Sequence, residues 1–186
     1  NHKYTIGQTK SADLPETKQY ARKRDITILM RALIFNMTKL CEFIILSGKY
    51  DLGQVDYLNK TLLINLIEKK YSHLAELVLK SDQEINCGHK DNSRTTALIY
   101  SGFQNLPVIS SLLAKRPDCD PSCFNIDDLD IMGHLFVNKY ENIIIELLVR
   151  HKVLKERFSD IHYVAKHAKM KKLVKYLKNK IIAEYI

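Results

Sequence analysis

The sequence contains no tryptophan, only six glycines and only four prolines in 186 residues. So few glycines argue against a glycine-rich phosphate-binding loop, and so few turn residues argue against a sandwich of many short strands. The apolar stretches are interrupted within a few residues, far short of the roughly 20 that cross a bilayer, so no membrane span is predicted. Four scattered cysteines do not suit a secreted disulfide scaffold, which favours an intracellular location, in the nucleus or the cytoplasm.

The apolar fraction is sufficient for a folded core, and the charge is unevenly distributed. Apolar residues make up 46% of the chain, which indicates one helix-rich domain or a short repeat array. Of the 29 lysines and arginines, 11 lie from Arg150 onward, where only three acidic residues occur. The net charge of +8 is therefore a property of the C-terminal end.

Three segments repeat at intervals of 34 and 35 residues, beginning at Thr27, Thr61 and Thr96. Positions 13, 16 and 17 after each threonine are apolar, a spacing typical of one face of a helix. These positions hold Leu40, Phe43 and Ile44, then Leu74, Leu77 and Val78, then Ile109, Leu112 and Leu113. Two weaker copies begin at Ile131 and Asp160, and the short interval between them predicts an abbreviated connection.

This arrangement resembles the ankyrin repeat, whose signature opens on threonine and closes its second helix with apolar residues and a glycine. The matching residues are Thr27, Leu29, Ala32 and Gly48, then Thr61 and Leu63, then Thr96 and Leu98, and His134 in the fourth copy. No copy has a proline after its first residue. The mid-repeat glycine is replaced by Asn36, Lys70, Asn105, Tyr140 and Lys169. Another solenoid of helical pairs, such as a HEAT or tetratricopeptide array, is the structural alternative.

The resemblance implies an all-α ankyrin-repeat solenoid of about five helix-turn-helix repeats with hairpin or loop fingers. The expected repeats cover about residues 22–55, 56–90, 91–125, 126–155 and 156–186. Residues 1–21 fit no copy and are expected to form a linker or a docking segment. In function, the resemblance implies a monomeric module, within a larger intracellular scaffold or regulatory protein, that binds another protein or peptide. Because the copies depart so far from the family pattern, we expect one dedicated partner rather than many.

The same resemblance places the partner on a concave face formed by the finger tips and the first helices. Candidate contacts there are Ile34, Phe35, Tyr57 and Phe103, because exposed large apolar side chains are typical of binding hot spots. In the alternative interpretation Phe35 tucks under the N-terminal segment and Phe103 fills the gap left by Gly102. Further candidates are Asp127, Asp128 and Asp130, which would receive a basic peptide or else form a merely solvated loop.

The basic end offers a competing function, contact with nucleic acid or chromatin. Candidate phosphate contacts are Lys169, Lys171, Lys172 and Lys175. A solvated helix face, or a surface that meets an acidic protein, is the alternative. No catalytic motif occurs, and the spacing of Cys119 and Cys123 does not suit a zinc site. The sequence therefore predicts no enzyme, no metal and no cofactor.

Overall fold

The computed structural model describes residues 28–184, and the surroundings of side chains for residues 28–180. Over this range the protein is all-α, as predicted, with ten α-helices, one 3-10 helix and no strand. The α-helices are α1 (Ile28–Ile34), α2 (Thr38–Leu46), α3 (Leu62–Glu68), α4 (Ser72–Lys80), α5 (Ala97–Phe103), α6 (Pro107–Ala114), α7 (Ile131–Val137), α8 (Glu141–Arg150), α9 (Phe158–His167) and α10 (Lys171–Glu184). The segment 1–21 and Thr27 lie outside the described residues.

Consecutive helices pack as pairs, and the pairs contact one another in two layers. Helices α3, α5 and α7, the first helices of the second, third and fourth pairs, contact in sequence in the first layer. Helices α2, α4, α6, α8 and α10 contact in sequence in the second layer. The apolar core runs between the layers through all five pairs.

The first helices of three pairs begin at a side-chain cap. The hydroxyl oxygens of Thr61 and Thr96 accept hydrogen bonds from the backbone N–H groups three residues further on, at 3.2 and 3.3 Å. The carboxylate of Asp130 does the same for Gly133, at 3.0 Å. Such caps satisfy N–H groups that have no partner within the helix. The fourth unit is therefore in phase with the others from Asp130, one residue before the predicted Ile131.

A left-handed residue separates the two helices of every pair. These residues are Asn36, Lys70, Asn105, Lys139 and Lys169, with φ between 55° and 61°. Four of the five occupy the positions assigned to the mid-repeat glycine, whereas the assignment of Tyr140 is wrong because the fourth unit starts one residue earlier. The Tyr140 hydroxyl instead donates a hydrogen bond to Asn105 Oδ1 of the preceding unit, at 2.7 Å. Tyr71 makes the same contact with Asn36.

The buried positions of the second helices lie 13, 14, 17 and 18 residues after Thr61, Thr96 and Asp130. They hold Leu74, Ala75, Val78 and Leu79, then Ile109, Ser110, Leu113 and Ala114, then Ile143, Ile144, Leu147 and Leu148. In the first pair the equivalent residues Cys41, Ile44 and Ile45 are buried and Leu40 is partly buried, so the predicted positions 13 and 17 do lie in the packed face. Position 16 was predicted to be core, but Phe43 is 71% exposed there. Its counterparts Leu77 and Leu112 are only partly buried, because this position lies at the edge of the packed face.

The last pair is joined to the fourth by the 3-10 helix Lys152–Arg157, in agreement with the abbreviated connection expected there. Helix α10 packs on α8 and α9. The carboxylate of Glu141 at the start of α8 accepts a hydrogen bond from the backbone N–H of Leu173, at 2.7 Å. This bond satisfies one of the unpaired amides of the first turn of α10.

Candidate protein-binding surface

Three turns of identical geometry precede the first helices of the second, third and fourth pairs. In each turn one side-chain oxygen accepts hydrogen bonds from the backbone N–H groups two and four residues further on, at 2.8 to 2.9 Å. The accepting residues are Asp56, Asp91 and Asn125, each five residues before the cap. Side chains of this type hold a turn by replacing a backbone acceptor.

Each turn also contains one left-handed residue, respectively Asn59, Arg94 and Asp128. We call the three turns, residues 56–60, 91–95 and 125–129, the finger ridge.

Backbone hydrogen bonds join the turns of the finger ridge to one another. The N–H of Asn92 donates to the carbonyl of Leu58 at 3.1 Å, and the N–H of Ile126 donates to the carbonyl of Ser93 at 3.0 Å. The Arg94 guanidinium adds a bond to the carbonyl of Asn125, at 3.2 Å. The ridge is therefore one continuous backbone surface that crosses three units.

The finger ridge exposes apolar side chains at both of its ends. Tyr57 and Leu58 on the first turn are 42% and 37% exposed, and Ile126 and Leu129 on the third turn are 55% and 46% exposed. The middle turn is polar, with Asn92 exposed. Exposed apolar groups in one continuous surface are typical of sites where another molecule binds.

A partly buried polar network lies between the ridge and the first helices. Lys60 Nζ lies 2.6 Å from Glu68 Oε1 and 5.2 Å from the centroid of the Tyr100 ring. The Tyr100 hydroxyl donates to Asp91 Oδ2 at 2.8 Å. Burial and the bond to Asp91 raise the pKa of Tyr100 to about 12. Burial acts to lower the pKa of Lys60, but the contacts with Glu68 and Tyr100 outweigh it and raise that pKa.

Phe103 packs against the next first helix. Its ring centroid lies 4.5 Å from that of His134 in an edge-on arrangement, and the side chain is half-buried. Gly102 allows this close approach, because a Cβ atom there would lie 2.6 Å from Ile131 Cδ1. Burial lowers the pKa of His134 and outweighs the opposing effect of Asp130. Phe103 is thus partly used in packing.

The other predicted apolar contacts lie away from the finger ridge. Ile34 and Phe35 are 42% and 55% exposed at the C-terminal end of α1. The ridge, by contrast, precedes the N-terminal ends of α3, α5 and α7. Of the predicted apolar set, the ridge contains Tyr57 alone.

The acidic candidates divide into two kinds. Asp127 and Asp128 are exposed on the third turn of the ridge. The side chain of Asp130 is only 10% exposed, since it caps α7 and lies 3.0 Å from Arg157 Nη1. Asp127 and Asp128 are therefore available to a partner, while the Asp130 carboxylate is engaged within the protein.

Sequence reasoning missed Ile126 and Leu129, whereas Leu58 falls on a contact position that the resemblance implies. Counting from Asp130 instead of Ile131 would have placed Ile126 in the same turn position as Tyr57. The signal for the ridge was also present, as an aspartate or asparagine five residues before each cap.

The basic candidates lie in the last pair. Lys169, Lys171, Lys172 and Lys175 are all exposed, and none is ion-paired with a described residue. Lys172 also lines a groove between α6 and α8.

The described residues contain no arrangement of three or more metal-binding side chains. All four cysteines are buried free thiols. A hydrogen bond with Cys87, together with burial, raises the pKa of the Cys119 thiol. Such thiols are poor nucleophiles because little thiolate forms. Within the described part of the chain, no helix combines the length and apolar character needed to cross a membrane.

Neither a protein-family model nor a curated protein matches the chain. Function is therefore inferred from the surface chemistry described above.

Proposed function

We propose that this region is a divergent ankyrin-repeat array and that it binds a partner protein through the finger ridge. Support for the repeat assignment comes from the equivalent caps at Thr61, Thr96 and Asp130, which recur at intervals of 35 and 34 residues. The identical turns before each cap support it further, since a repeat predicts the same local bonds in every copy. The buried free thiols favour a reducing, intracellular compartment, nuclear or cytoplasmic.

The observation that carries the binding proposal is the hydrogen bonding of the turns that expose Tyr57, Leu58, Ile126 and Leu129. Each of these turns is held by side-chain and backbone hydrogen bonds, and the neighbouring turns are bonded together. Little conformational entropy is then lost on association, so burial of the apolar groups contributes more fully to affinity. The proposed role is recognition, by a scaffold whose contact residues are already in place.

The ridge also indicates what the partner offers. Its apolar ends fit apolar side chains, and the exposed Asp127 and Asp128 beside Ile126 fit a basic residue in the same segment. Complementary charge at the edge of an apolar contact sets orientation and speeds association. We therefore expect the ligand to be a protein segment in which apolar residues are followed or preceded by lysine or arginine.

Selection from a displayed library of random peptides, followed by affinity measurement on the enriched peptides, tests this proposal. The double variant Ile126→Ser, Leu129→Ser is expected to weaken binding by about tenfold or more, because it removes both apolar contacts at one end of the ridge. The matched control is Val149→Ser, since Val149 is 61% exposed on α8 and lies outside the ridge. Melting curves of all variants establish that each remains folded.

Two results would contradict the proposal. One is a selection that enriches no peptide. The other is a set of peptides whose affinity is unchanged by the double ridge variant, or is lowered equally by Val149→Ser.

A further inference from the structure

A second surface lies on the layer of second helices. An open groove of about 600 Å³ runs along α6 beside the N-terminal end of α8 and reaches α10. Its volume is within the range of clefts that hold ligands. The groove shares no residue with the finger ridge.

The floor of this groove is apolar. Val108 is 57% exposed, and Leu112 and Ile143 lie beside it. The half-buried Tyr140 also lines the groove, and its hydroxyl is bonded to Asn105. An exposed valine over further apolar side chains provides a contact for one apolar group of a ligand.

The rim of the groove is positively charged. Lys115, Lys139 and Lys172 line it, all three are exposed, and none is ion-paired with a described residue. The only carboxylate in the lining is Glu141, which accepts the hydrogen bond from Leu173 at the start of α10. The lining therefore carries three lysines against one carboxylate, and that carboxylate is bonded to a backbone amide rather than to a lysine.

An equivalent groove lies between α2 and α4, and its side chains differ from those of the groove between α6 and α8. Each residue of that smaller groove, about 430 Å³, has a counterpart in the larger one 69 residues later. Between α2 and α4, Glu42 and His73 meet across the groove at 3.2 Å. Their counterparts between α6 and α8 are Ser111 and Asn142, which have no such contact.

We propose that the groove between α6 and α8 binds an acidic linear segment of a partner protein, with one apolar side chain on the floor and carboxylates at the rim. The three lysines attract carboxylates without demanding the bidentate geometry that arginine imposes. Nucleic acid is disfavoured because the floor is apolar and the one lining aromatic is held against a neighbouring unit. This surface is independent of the finger ridge, so either site can be lost without the other.

Fluorescence anisotropy with a synthetic peptide of about twelve residues tests the proposal, the peptide carrying glutamates around one leucine in a glycine-serine background. Lys139→Glu is expected to weaken binding about tenfold, because it reverses one rim charge. Lys70→Glu is the matched control, since Lys70 occupies the same position in the other groove with nearly the same φ, 61° against 56°. Its effect is expected to stay below about twofold. Lys115→Glu, at the exposed residue that follows α6, repeats the test should Lys139→Glu prevent folding.

Peptide variants separate the two parts of the site. Replacing glutamate by glutamine in the peptide is expected to abolish measurable binding, while replacing leucine by alanine is expected to weaken it about threefold. Val108→Ser in the protein should remove the preference for leucine over alanine in the peptide. The variant should still bind the acidic peptide more weakly at higher salt concentration, because the lysines remain.

Several outcomes would overturn the proposal. These are absence of binding by the acidic peptide, equal losses for Lys139→Glu and Lys70→Glu, and tighter binding of single-stranded DNA or of vesicles containing phosphatidylserine than of the peptide. Tighter binding of the DNA would assign the lysines to nucleic acid, and tighter binding of the vesicles would assign them to a membrane surface.

Discussion

Replacing Asp91 with alanine is expected to lower the free energy of unfolding by about 3 kcal/mol, because three hydrogen bonds to one buried carboxylate disappear. Asp91 is 5% exposed and accepts bonds from Ser93 N–H, Thr95 N–H and the Tyr100 hydroxyl, at 2.8 to 2.9 Å. Bonds to a charged acceptor contribute roughly 1.5 kcal/mol each at the low end. In the variant, water can replace the lost hydrogen bond to the N–H of the half-buried Ser93, whereas the N–H of the buried Thr95 has no replacement. The expected loss is therefore smaller than the sum of the three bonds.

Urea unfolding followed by circular dichroism measures this change directly, and the melting temperature should fall by roughly 6 to 12 °C for a chain of this size. Asp91→Asn should cost about 1 kcal/mol or less, because Asn125 holds the equivalent turn with an amide oxygen. The exposed Asp82 provides the control, and its replacement by alanine should change stability by less than about 0.5 kcal/mol. An unchanged midpoint for Asp91→Ala, or an equally large loss for Asp91→Asn, would refute the assigned role of the turn.

Three further predictions follow from the packing and the charges. Gly102→Ala should lose about 1–2 kcal/mol despite the better helix propensity of alanine, because the added Cβ would meet Ile131 Cδ1 at 2.6 Å; a stabilised variant in urea unfolding would contradict this. Since the folded pKa of Tyr100, about 12, exceeds the ordinary value near 10, its contribution to stability is present below pH 10 and is lost as the pH rises toward 12. Tyr100→Phe should therefore flatten the decline in melting temperature over that interval, and an unchanged slope would argue against it. Arg157→Ala should cost about 1–2 kcal/mol by leaving the 10%-exposed Asp130 without its ion pair, and a loss below about 0.5 kcal/mol would show that the pair adds nothing.

The helical class and the start of the second and third units could be predicted from the sequence because threonine acts there through a local bond. Thr61 and Thr96 each cap a helix by reaching an N–H only three residues away, so the pattern depends on nothing distant. The fourth unit was placed one residue late because its cap is Asp130, and an aspartate in an acidic stretch was interpreted as a partner contact. A helix cap and a partner contact can both be an aspartate. They differ in how far the side chain is buried, and burial cannot be read from the sequence.

The candidate surface was less predictable, since it depends on exposure and on contacts between units. The sequence left Phe103 open between a partner contact and a filler of the gap beside Gly102, and the packing of α5 on α7 makes it half-buried against His134. Phe43 looked like core, yet lies at the edge of the packed face. In both cases the periodicity of apolar residues predicted which face of the helix packs. The distance to the neighbouring helix determines which side chains of that face remain exposed.

The hydrogen bonds found between units of the described region join neighbouring pairs of helices. That of His151 to the carbonyl of Ala114 reaches 37 positions along the chain. Within residues 28–184 the helix contacts likewise fasten each pair to its neighbours rather than the first pair to the last, so this array can lose structure from one end inward while the middle persists. Amide exchange should accordingly be slowest around the third pair and progressively faster toward both extremities. A destabilising substitution in one unit should therefore affect the stability of that unit and of the two units that flank it.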